Sequence, residues 1–248
     1  MSEGERARQP DLRTVRTYVR REGRMTRAQR RALETLWPRY GLEPGEGLLD
    51  LAAAFGRHAP RALEIGFGMG DALLEMASAR PGWDFLGVEV YRPGAGSLIR
   101  RAHALGLGNI RVVLGDAVLL LERHLPPASL DAVYVFFPDP WPKKRHHKRR
   151  LVQPAFAARV ARVLKPGGVL HLATDWEPYA EHMLAVMEAA PGFRNLAGPG
   201  RYLEGRGDRP ETKFERRGRA LGHPVRDLLY VREAGDEGRE TGRKMGGG

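Results

Sequence analysis

The chain has 248 residues, of which 42% are hydrophobic and 29% are charged, a balance that excludes collagen-like, wholly disordered and membrane-embedded proteins. Its longest apolar runs are far shorter than the roughly 20 residues of a membrane-spanning helix. Lys and Arg outnumber Asp and Glu by 41 to 30, giving a formal net charge of +11, and cysteine is absent. The charge favours a polyanionic partner such as nucleic acid, although genomic base composition can also enrich Arg.

The two ends of the chain differ from its middle. Residues 1–31 contain ten Arg against four acidic residues and no apolar stretch of the kind found in secretory signals. Residues 232–248 mix charges with a Gly run and show no apolar periodicity, which is typical of disorder. We therefore expect a basic, flexible N-terminal extension (1–35), one domain over 36–231, a disordered tail (232–248) and a cytoplasmic location.

Strand and helix patterns alternate between these ends. The segment RALEI (61–65) predicts a strand, which is followed by a glycine-rich turn and a helix over 71–80. Further strands are predicted at 85–90, 110–114, 132–137 and 169–174, and further helices at 97–105, at 153–164 and from Pro178. This alternation predicts an α/β fold, with a parallel sheet covered by helices on both faces.

Acidic residues stand near the ends of four successive predicted strands: Glu64, Glu89, Asp116 and Asp139. The turn places Gly66 and Gly68 where a ligand can approach the backbone closely, but its GxGxG spacing departs from the dinucleotide-binding motif. Glu89 is spaced to accept hydrogen bonds from ribose hydroxyls, and Asp116 is placed beside an adenine. Each acid alone is equally compatible with a solvated turn or a helix cap. Together they indicate a ligand with a ribose, an adenine and positive charge, namely S-adenosyl-L-methionine.

A proline-rich turn and a basic run follow the fourth strand. Asp139 lies between two prolines at the edge of the sheet where open α/β proteins bind ligands, although a stiff turn is the simpler interpretation. Trp141 is expected either to stack on a base or to pack in the core. The run KKRHHKRR (143–150) predicts phosphate contacts, with a solvated loop as the alternative. No further ligand stands at a suitable spacing from His146 and His147, so no metal site is expected.

Longer strings resemble the bacterial tRNA (guanine-N7)-methyltransferases of the TrmB type. They are LEIGFGMG (63–70), GVEVYRPG (87–94), FFPDPWPKKRHHKRRLVQ (136–153), ATDWEPYAEHM (173–183) and RPETKFERRGRALGHPV (209–225). The resemblance extends from about Arg16 to Val231, with Tyr91 and Arg226 where the family more often has His and Trp. It implies a Rossmann-like methyltransferase fold with a seven-stranded, mostly parallel sheet. It also implies methyl transfer from S-adenosyl-L-methionine to N7 of guanine 46 in the variable loop of tRNA.

The resemblance also implies roles for individual residues. It assigns Glu64, Glu89 and Asp116 to the methyl donor and places Asp139 at the catalytic centre, where we expect it to contact the donor too. To the tRNA it assigns Lys143, Asp175, Thr212, Lys213, Phe214 and Glu215. The alternative for Phe214 is that its ring packs in the hydrophobic core.

Other functions remain possible at this stage. They are methylation of another RNA or of a small molecule, a nicotinamide-dependent oxidoreductase and a noncatalytic RNA-binding module. We expect no membrane or metal as partner. The sequence leaves the choice between monomer and homodimer open.

Overall fold

A computed structural model describes residues 17–18, 23–211, 215 and 224–234. Its strands are β1 (Gly41–Leu42), β2 (Arg61–Ile65), β3 (Asp84–Glu89), β4 (Ile110–Leu114), β5 (Leu130–Phe136), β6 (Leu164–Thr174), β7 (Phe193–Asn195) and β8 (Arg226–Arg232). Its α-helices are α1 (Arg27–Tyr40), α2 (Leu51–Phe55), α3 (Asp71–Ala79), α4 (Arg92–Ala104), α5 (Ala117–Leu119), α6 (Pro154–Val163) and α7 (Glu177–Glu188). A π-helical turn spans Leu120–His124, and a 3-10 helix spans Lys144–Arg149.

The eight strands form one sheet in the order β1-β4-β3-β2-β5-β6-β8-β7. The six strands from β1 to β6 in this order run parallel, whereas β8 is antiparallel to both β6 and β7. The chain leaves β2 toward β3 on one side and later returns to β5 on the other. Ligands bind open α/β sheets at the carboxyl ends of the strands beside such a reversal.

Apolar side chains fill both faces of the sheet, because successive residues of a strand point to opposite sides. On one face, Ala62, Phe85 and Ala132 pack in a cluster with buried residues of α1, α3 and α4. On the other face, Leu63 and Val133 pack in a cluster with buried residues of α6 and α7. The predicted α/β architecture with helices on both faces is confirmed.

The structure differs from the predictions in several details. It has eight strands instead of seven, of which β1 has only two residues. The helix predicted at 97–105 begins earlier, at Arg92, because Pro93 is well tolerated in a first helical turn. The strand predicted from residue 169 already begins at Leu164, with an irregular register against β5 between Leu130 and Ala132.

The N-terminal boundary expected at residue 35 falls inside α1. This helix begins after a capping box formed by Thr26 and Gln29. It packs closely on α4, where a Cβ added to Gly96 would lie 2.6 Å from the Gln29 carbonyl oxygen. Residues 1–16 and most of the predicted tail lie outside the described residues. No helix in the described ranges is long and apolar enough to span a bilayer.

Candidate functional site

A glycine turn (residues 66–70) connects β2 to α3 at the carboxyl edge of the sheet. Gly66 and Gly68 have φ values of 73° and 54°, a left-handed conformation that favours glycine. The turn also contacts α4, since a Cβ added to Gly94 would lie 1.9 Å from the Gly68 carbonyl oxygen. This close packing fixes the turn between the two helices.

Glu89 ends β3 beside the glycine turn and accepts three backbone hydrogen bonds. Its Oε2 accepts from Gly68 N at 2.8 Å, and its Oε1 accepts from Val90 N at 2.7 Å and Tyr91 N at 3.0 Å. Burial raises its pKa; these hydrogen bonds oppose the shift, and the charge of Asp139 adds to it. The carboxylate therefore braces the turn from the position expected of a ribose acceptor.

Glu64 lies on the central strand β2 and is only 3% exposed. Burial raises its pKa to about 8, and the charges of Glu89 and Asp71 contribute. Its Oε2 is buried, and no described residue donates a hydrogen bond to it. A buried carboxyl group without a partner is costly, whereas a cation placed beside it would favour ionisation.

Asp116 and Asp175 follow the ends of β4 and β6. The Asp116 carboxylate caps α5 by accepting a hydrogen bond from Val118 N at 2.8 Å. Asp175 is partly exposed in the short connection between β6 and α7. Both therefore lie along the carboxyl edge, which was expected from the sequence for Asp116 but not for Asp175.

A proline turn (residues 137–142) follows β5 and carries Asp139. Phe137 and Trp141, on either side of Pro138-Asp139-Pro140, have φ values of 53° and 47°, which are rare for bulky residues. Such conformations cost on the order of 1 to 3 kcal/mol each and persist only where surrounding contacts hold them. The proline turn is thus a strained segment that presents the Asp139 carboxylate near Glu89.

Arg150 supplies some of the contacts that hold the proline turn. The sequence analysis did not identify it as a supporting residue. Although it belongs to the basic run, it is only 2% exposed. Its Nε donates to the Pro140 carbonyl oxygen at 3.0 Å, its Nη1 donates to the Pro178 carbonyl oxygen at 3.2 Å, and its guanidinium lies over the ring of Tyr179. Arg150 therefore supports the proline turn from inside instead of facing a phosphate.

The rest of the basic run divides into exposed cations and one that packs on Trp141. Lys143 precedes the 3-10 helix, and the exposed cations are Lys143, Lys144, Arg145 and Lys148. The Arg149 guanidinium stacks 3.9 Å from the centroid of the Trp141 ring. Trp141 Nε1 also donates to the Thr17 carbonyl oxygen at 3.2 Å. One face of the Trp141 ring is thus covered by Arg149. Trp141 is therefore neither a fully open surface on which a base can stack nor a fully buried core residue.

The last group of predicted tRNA contacts falls largely outside the described residues, which include Glu215 but not Thr212, Lys213 and Phe214. Glu215 is 1% exposed and accepts a hydrogen bond from Arg209 Nη1 at 2.5 Å. In this structure it faces a buried guanidinium and not an open surface. Its sequence position beside Lys213 and Arg216 could not show this burial.

Together these residues form an acidic site at the carboxyl edge of the sheet, flanked by exposed cations. The acidic groups are positioned to hold a ligand with positive charge and hydroxyl groups, and the cations to hold phosphates. Within the described ranges, no three His, Asp or Glu side chains are grouped so as to hold a metal ion.

Comparisons with known proteins agree with this arrangement. A family model described as "Putative methyltransferase" matches residues 58–228. The chain is 57% identical over 223 residues to a tRNA (guanine-N(7)-)-methyltransferase of Alcanivorax borkumensis, covering 90% of this chain and 93% of that protein. It is 59% identical over 220 residues to the protein of the same name from Alkalilimnicola ehrlichii, covering 88% of this chain and 92% of that protein.

Two solved structures resemble the fold. The 16S rRNA methyltransferase KamB aligns with a TM-score of 0.56 at 19% identity, covering 79% of this chain and 99% of that one. The aminoglycoside resistance methyltransferase NpmB1 aligns with a TM-score of 0.51 at 21% identity, covering 75% of this chain and 94% of that one. At these identities, the resemblance concerns the fold alone, which is that of Rossmann-like methyltransferases.

Proposed function

Since the chain belongs to the family of tRNA (guanine-N(7)-)-methyltransferases, we propose that it transfers a methyl group from S-adenosyl-L-methionine to N7 of a guanine in tRNA, at position 46 of the variable loop. The observation that carries this proposal is that the two turns follow neighbouring parallel strands, since β2 leads into the glycine turn and pairs with β5, which leads into the proline turn. Asp139, on the proline turn, acts electrostatically on Glu89, which braces the glycine turn. A donor held at one turn would then meet a base held at the other.

The residues of the glycine turn fit the methyl donor. Gly66 and Gly68 leave room for a ligand against the backbone, and no Cβ is present to fill it. Glu89 Oε2 accepts only one backbone hydrogen bond and can accept a second from a ribose hydroxyl, and we expect Asp116 to lie beside the adenine. The partnerless Glu64 carboxyl suits a group with positive charge. When bound, S-adenosyl-L-methionine supplies a methyl group activated by the positive charge on sulfur.

The task of Asp139 follows from the chemistry of the acceptor. Guanine N7 has an in-plane lone pair and no proton, so no residue has to deprotonate it before it attacks. The protein therefore has to orient the base in line with the methyl group and stabilise charge as it moves. Asp139 serves either by holding the N–H donors of the guanine edge or by favouring the positive charge that develops on the purine.

Contacts to the tRNA backbone would place this guanine. The exposed cations Lys143, Lys144, Arg145 and Lys148 lie directly after the proline turn, where they can reach phosphates flanking the target base. Asp175 lies on the same edge, and Thr212, Lys213 and Phe214 complete the proposed tRNA-binding set. We expect the reaction in the cytoplasm, where its substrate is found.

The test is transfer of labelled methyl groups to an unmodified tRNA transcript, followed by nuclease digestion and mapping of the labelled nucleoside. We expect 7-methylguanosine at position 46 and no transfer to a matched transcript with adenine there. Label at another nucleotide, or on a small molecule but not on RNA, would overturn the proposed acceptor. Binding of NADH but not of S-adenosylhomocysteine, together with no methyl transfer, would overturn the reaction.

A further inference from the structure

Arg209 is at the centre of a buried ionic cluster on the sheet face that carries α3 and α4. Its side chain is fully buried, and the carboxylates of Glu215 and Asp227 beside it are each 1% exposed. Arg209 Nη2 donates to Asp227 Oδ2 at 2.8 Å, and its Nε donates to Asp227 Oδ1. His171 Nε2 lies 2.9 Å from the same Asp227 Oδ1. The cluster joins β6, β8 and the segment around residue 209.

The same guanidinium also reaches the start of the proline turn. It lies 5.5 Å from the ring centroid of Phe137 and 6.0 Å from that of Phe136. Phe137 is one of the two residues that hold a left-handed conformation around Asp139, and its N–H donates to the Ala173 carbonyl oxygen at 2.8 Å. Fixing the Phe137 ring therefore restricts the backbone that leads into Pro138 and Asp139.

The shape of the guanidinium matters for this arrangement. A planar fork can bond both oxygens of one carboxylate, reach a second carboxylate and still lie over a ring. A Lys ammonium is a compact charge that cannot make all of these contacts from one position. Burial raises the pKa of Asp227, but the Arg209 guanidinium and His171 outweigh burial and lower it. The charges of the cluster thus hold one another in place.

We propose that Arg209 is a positioning residue for the methyl transfer, which acts through Phe137 to hold the Asp139 carboxylate where the reaction needs it. This inference rests on the proposed function, in particular on the role of Asp139. Arg209 also ties Glu215 to β8, since it donates hydrogen bonds to the carboxylates of both Glu215 and Asp227. No contact of Arg209 includes Glu64, Gly68 or Glu89.

The test combines Arg209→Lys with Asp139→Ala in single-turnover methylation at saturating tRNA and donor. Arg209→Lys alone should slow methyl transfer about tenfold, because the contact of Arg209 with the proline turn is lost. In the Asp139→Ala background, the same change should slow it less than about twofold, because the side chain being positioned is already gone. The affinity for S-adenosylhomocysteine should change less than about twofold in both backgrounds.

A matched control separates positioning from a general loss of stability. Arg57 also pairs with a fully buried carboxylate, Asp84, but at the amino end of β3, on the opposite edge of the sheet. Arg57→Lys should lower Tm while leaving the single-turnover rate unchanged. If Arg209→Lys fails to fold, Phe137→Leu serves in its place, since it removes the ring but keeps the ionic cluster. Phe137→Leu should likewise slow methyl transfer when the Asp139 side chain is present and much less when it is absent.

The outcomes are distinguishable. An equal slowing by Arg209→Lys with and without the Asp139 carboxylate would overturn the positioning role and leave the proposed function intact. An equal slowing by Arg57→Lys would reduce the effect to lost stability and would also overturn it. If Asp139→Ala by itself changed nothing, both the catalytic role of Asp139 and the inference that depends on it would fail.

Discussion

The glycine turn and the proline turn lie at neighbouring strand ends but are held in different ways. The glycine turn is braced by backbone hydrogen bonds to Glu89, only 21 residues away from Gly68. The proline turn is held by Arg150, which is 10 residues from Pro140, by the Ala173 carbonyl oxygen, and by the distant Arg209, whose guanidinium lies over the Phe137 ring. A ligand site made of backbone is visible in a short motif, whereas a strained turn held by distant side chains is not. Five experiments test the two turns and the charged groups around them.

The largest effect is expected at the proline turn. Asp139→Ala should lower turnover at saturating tRNA and donor by about a hundred- to a thousandfold, because one preorganised electrostatic contact is typically worth about 2.7 to 4 kcal/mol. Donor and tRNA affinities, from calorimetry and filter binding, should change little. Asp139→Asn separates the two roles: retained activity favours holding of the guanine edge, and equal loss favours charge stabilisation. An unimpaired alanine variant would make Asp139 a turn residue only.

Arg150 tests whether the turn depends on an internal cation. Arg150→Met should lower the free energy of unfolding by about 3 kcal/mol, because it removes two charged hydrogen bonds to partly buried carbonyl oxygens, each typically worth about 1.5 to 3 kcal/mol. The matched change at an exposed position of the same run, Lys144→Met, should stay within about 0.5 kcal/mol. Urea denaturation measures both. Equal effects would mean that the basic run is a uniform surface loop after all.

At the glycine turn, the loss should appear in donor affinity. Glu89→Gln removes the charge that accepts the hydrogen bond from Gly68 N and, in our proposal, from the ribose. A lost charged hydrogen bond is worth roughly 1.5 to 3 kcal/mol, so S-adenosylhomocysteine should bind about tenfold more weakly or worse in calorimetry. Exposed Glu75→Gln, on α3, is the control. Unchanged affinity in the Glu89 variant would remove it from the donor site.

A substitution at Glu64 should have a smaller effect, seen as a change in how Tm depends on pH. Its pKa is raised to about 8, so the folded protein keeps this proton over a range in which the unfolded chain has lost it. The stability it contributes is complete below the unfolded value near 4.5 and is lost as pH rises through 8. Glu64→Gln should therefore match the wild type in acid and exceed its Tm above pH 8.

A donor cation would favour the ionised form of Glu64, so binding at neutral pH should release a proton. Calorimetry in buffers of different ionisation enthalpy detects this release. The Glu64→Gln variant should not show it. Proton release that persists in the variant would assign the signal to another group.

The smallest effect concerns the exposed cations. The affinity for tRNA should fall with salt, each phosphate contact contributing about 0.9 to the log-log slope if duplex behaviour applies. Replacing Lys144 and Arg145 with Ala should lower the slope by about 1 to 2 while donor affinity stays constant. Lys165→Ala, whose ammonium pairs with Asp131, is the control. An unaltered slope in the double variant would exclude these two residues from phosphate binding.

Most of the sheet and the glycine turn were predictable, because their signals are local. The unit from Arg61 to Glu89 contains a strand, a glycine turn, a helix and a second strand, each with its own apolar pattern. The positions of Glu64, Glu89, Asp116 and Asp139 near strand ends could likewise be predicted from the strand pattern, because they depend on the sequence order alone. The antiparallel strand β8 was not predicted, since its seven residues pair with a strand more than 50 residues earlier in the chain.

The proline turn shows the limit of such reasoning. Nothing in a run of six cations distinguishes Arg150, which is buried, from Lys144, which is exposed, except the apolar Leu151-Val152 that follows. The sequence around Glu215 likewise indicates a surface residue among arginines. Only the folded structure places it in a cluster with Arg209 and Asp227. The strain at Phe137 and Trp141 depends on contacts that no periodicity records.

The position of β8 in the sheet has a consequence for biosynthesis. This strand is inserted between β6 and β7, and β7 pairs with no other strand. While the ribosome is still translating the segment before residue 226, the sheet can extend only from β1 to β6, which already includes the glycine turn. Asp227 is translated after all of these strands and brings the carboxylate that binds Arg209 and His171. The nascent chain can therefore form the glycine turn first and complete the support of the proline turn last.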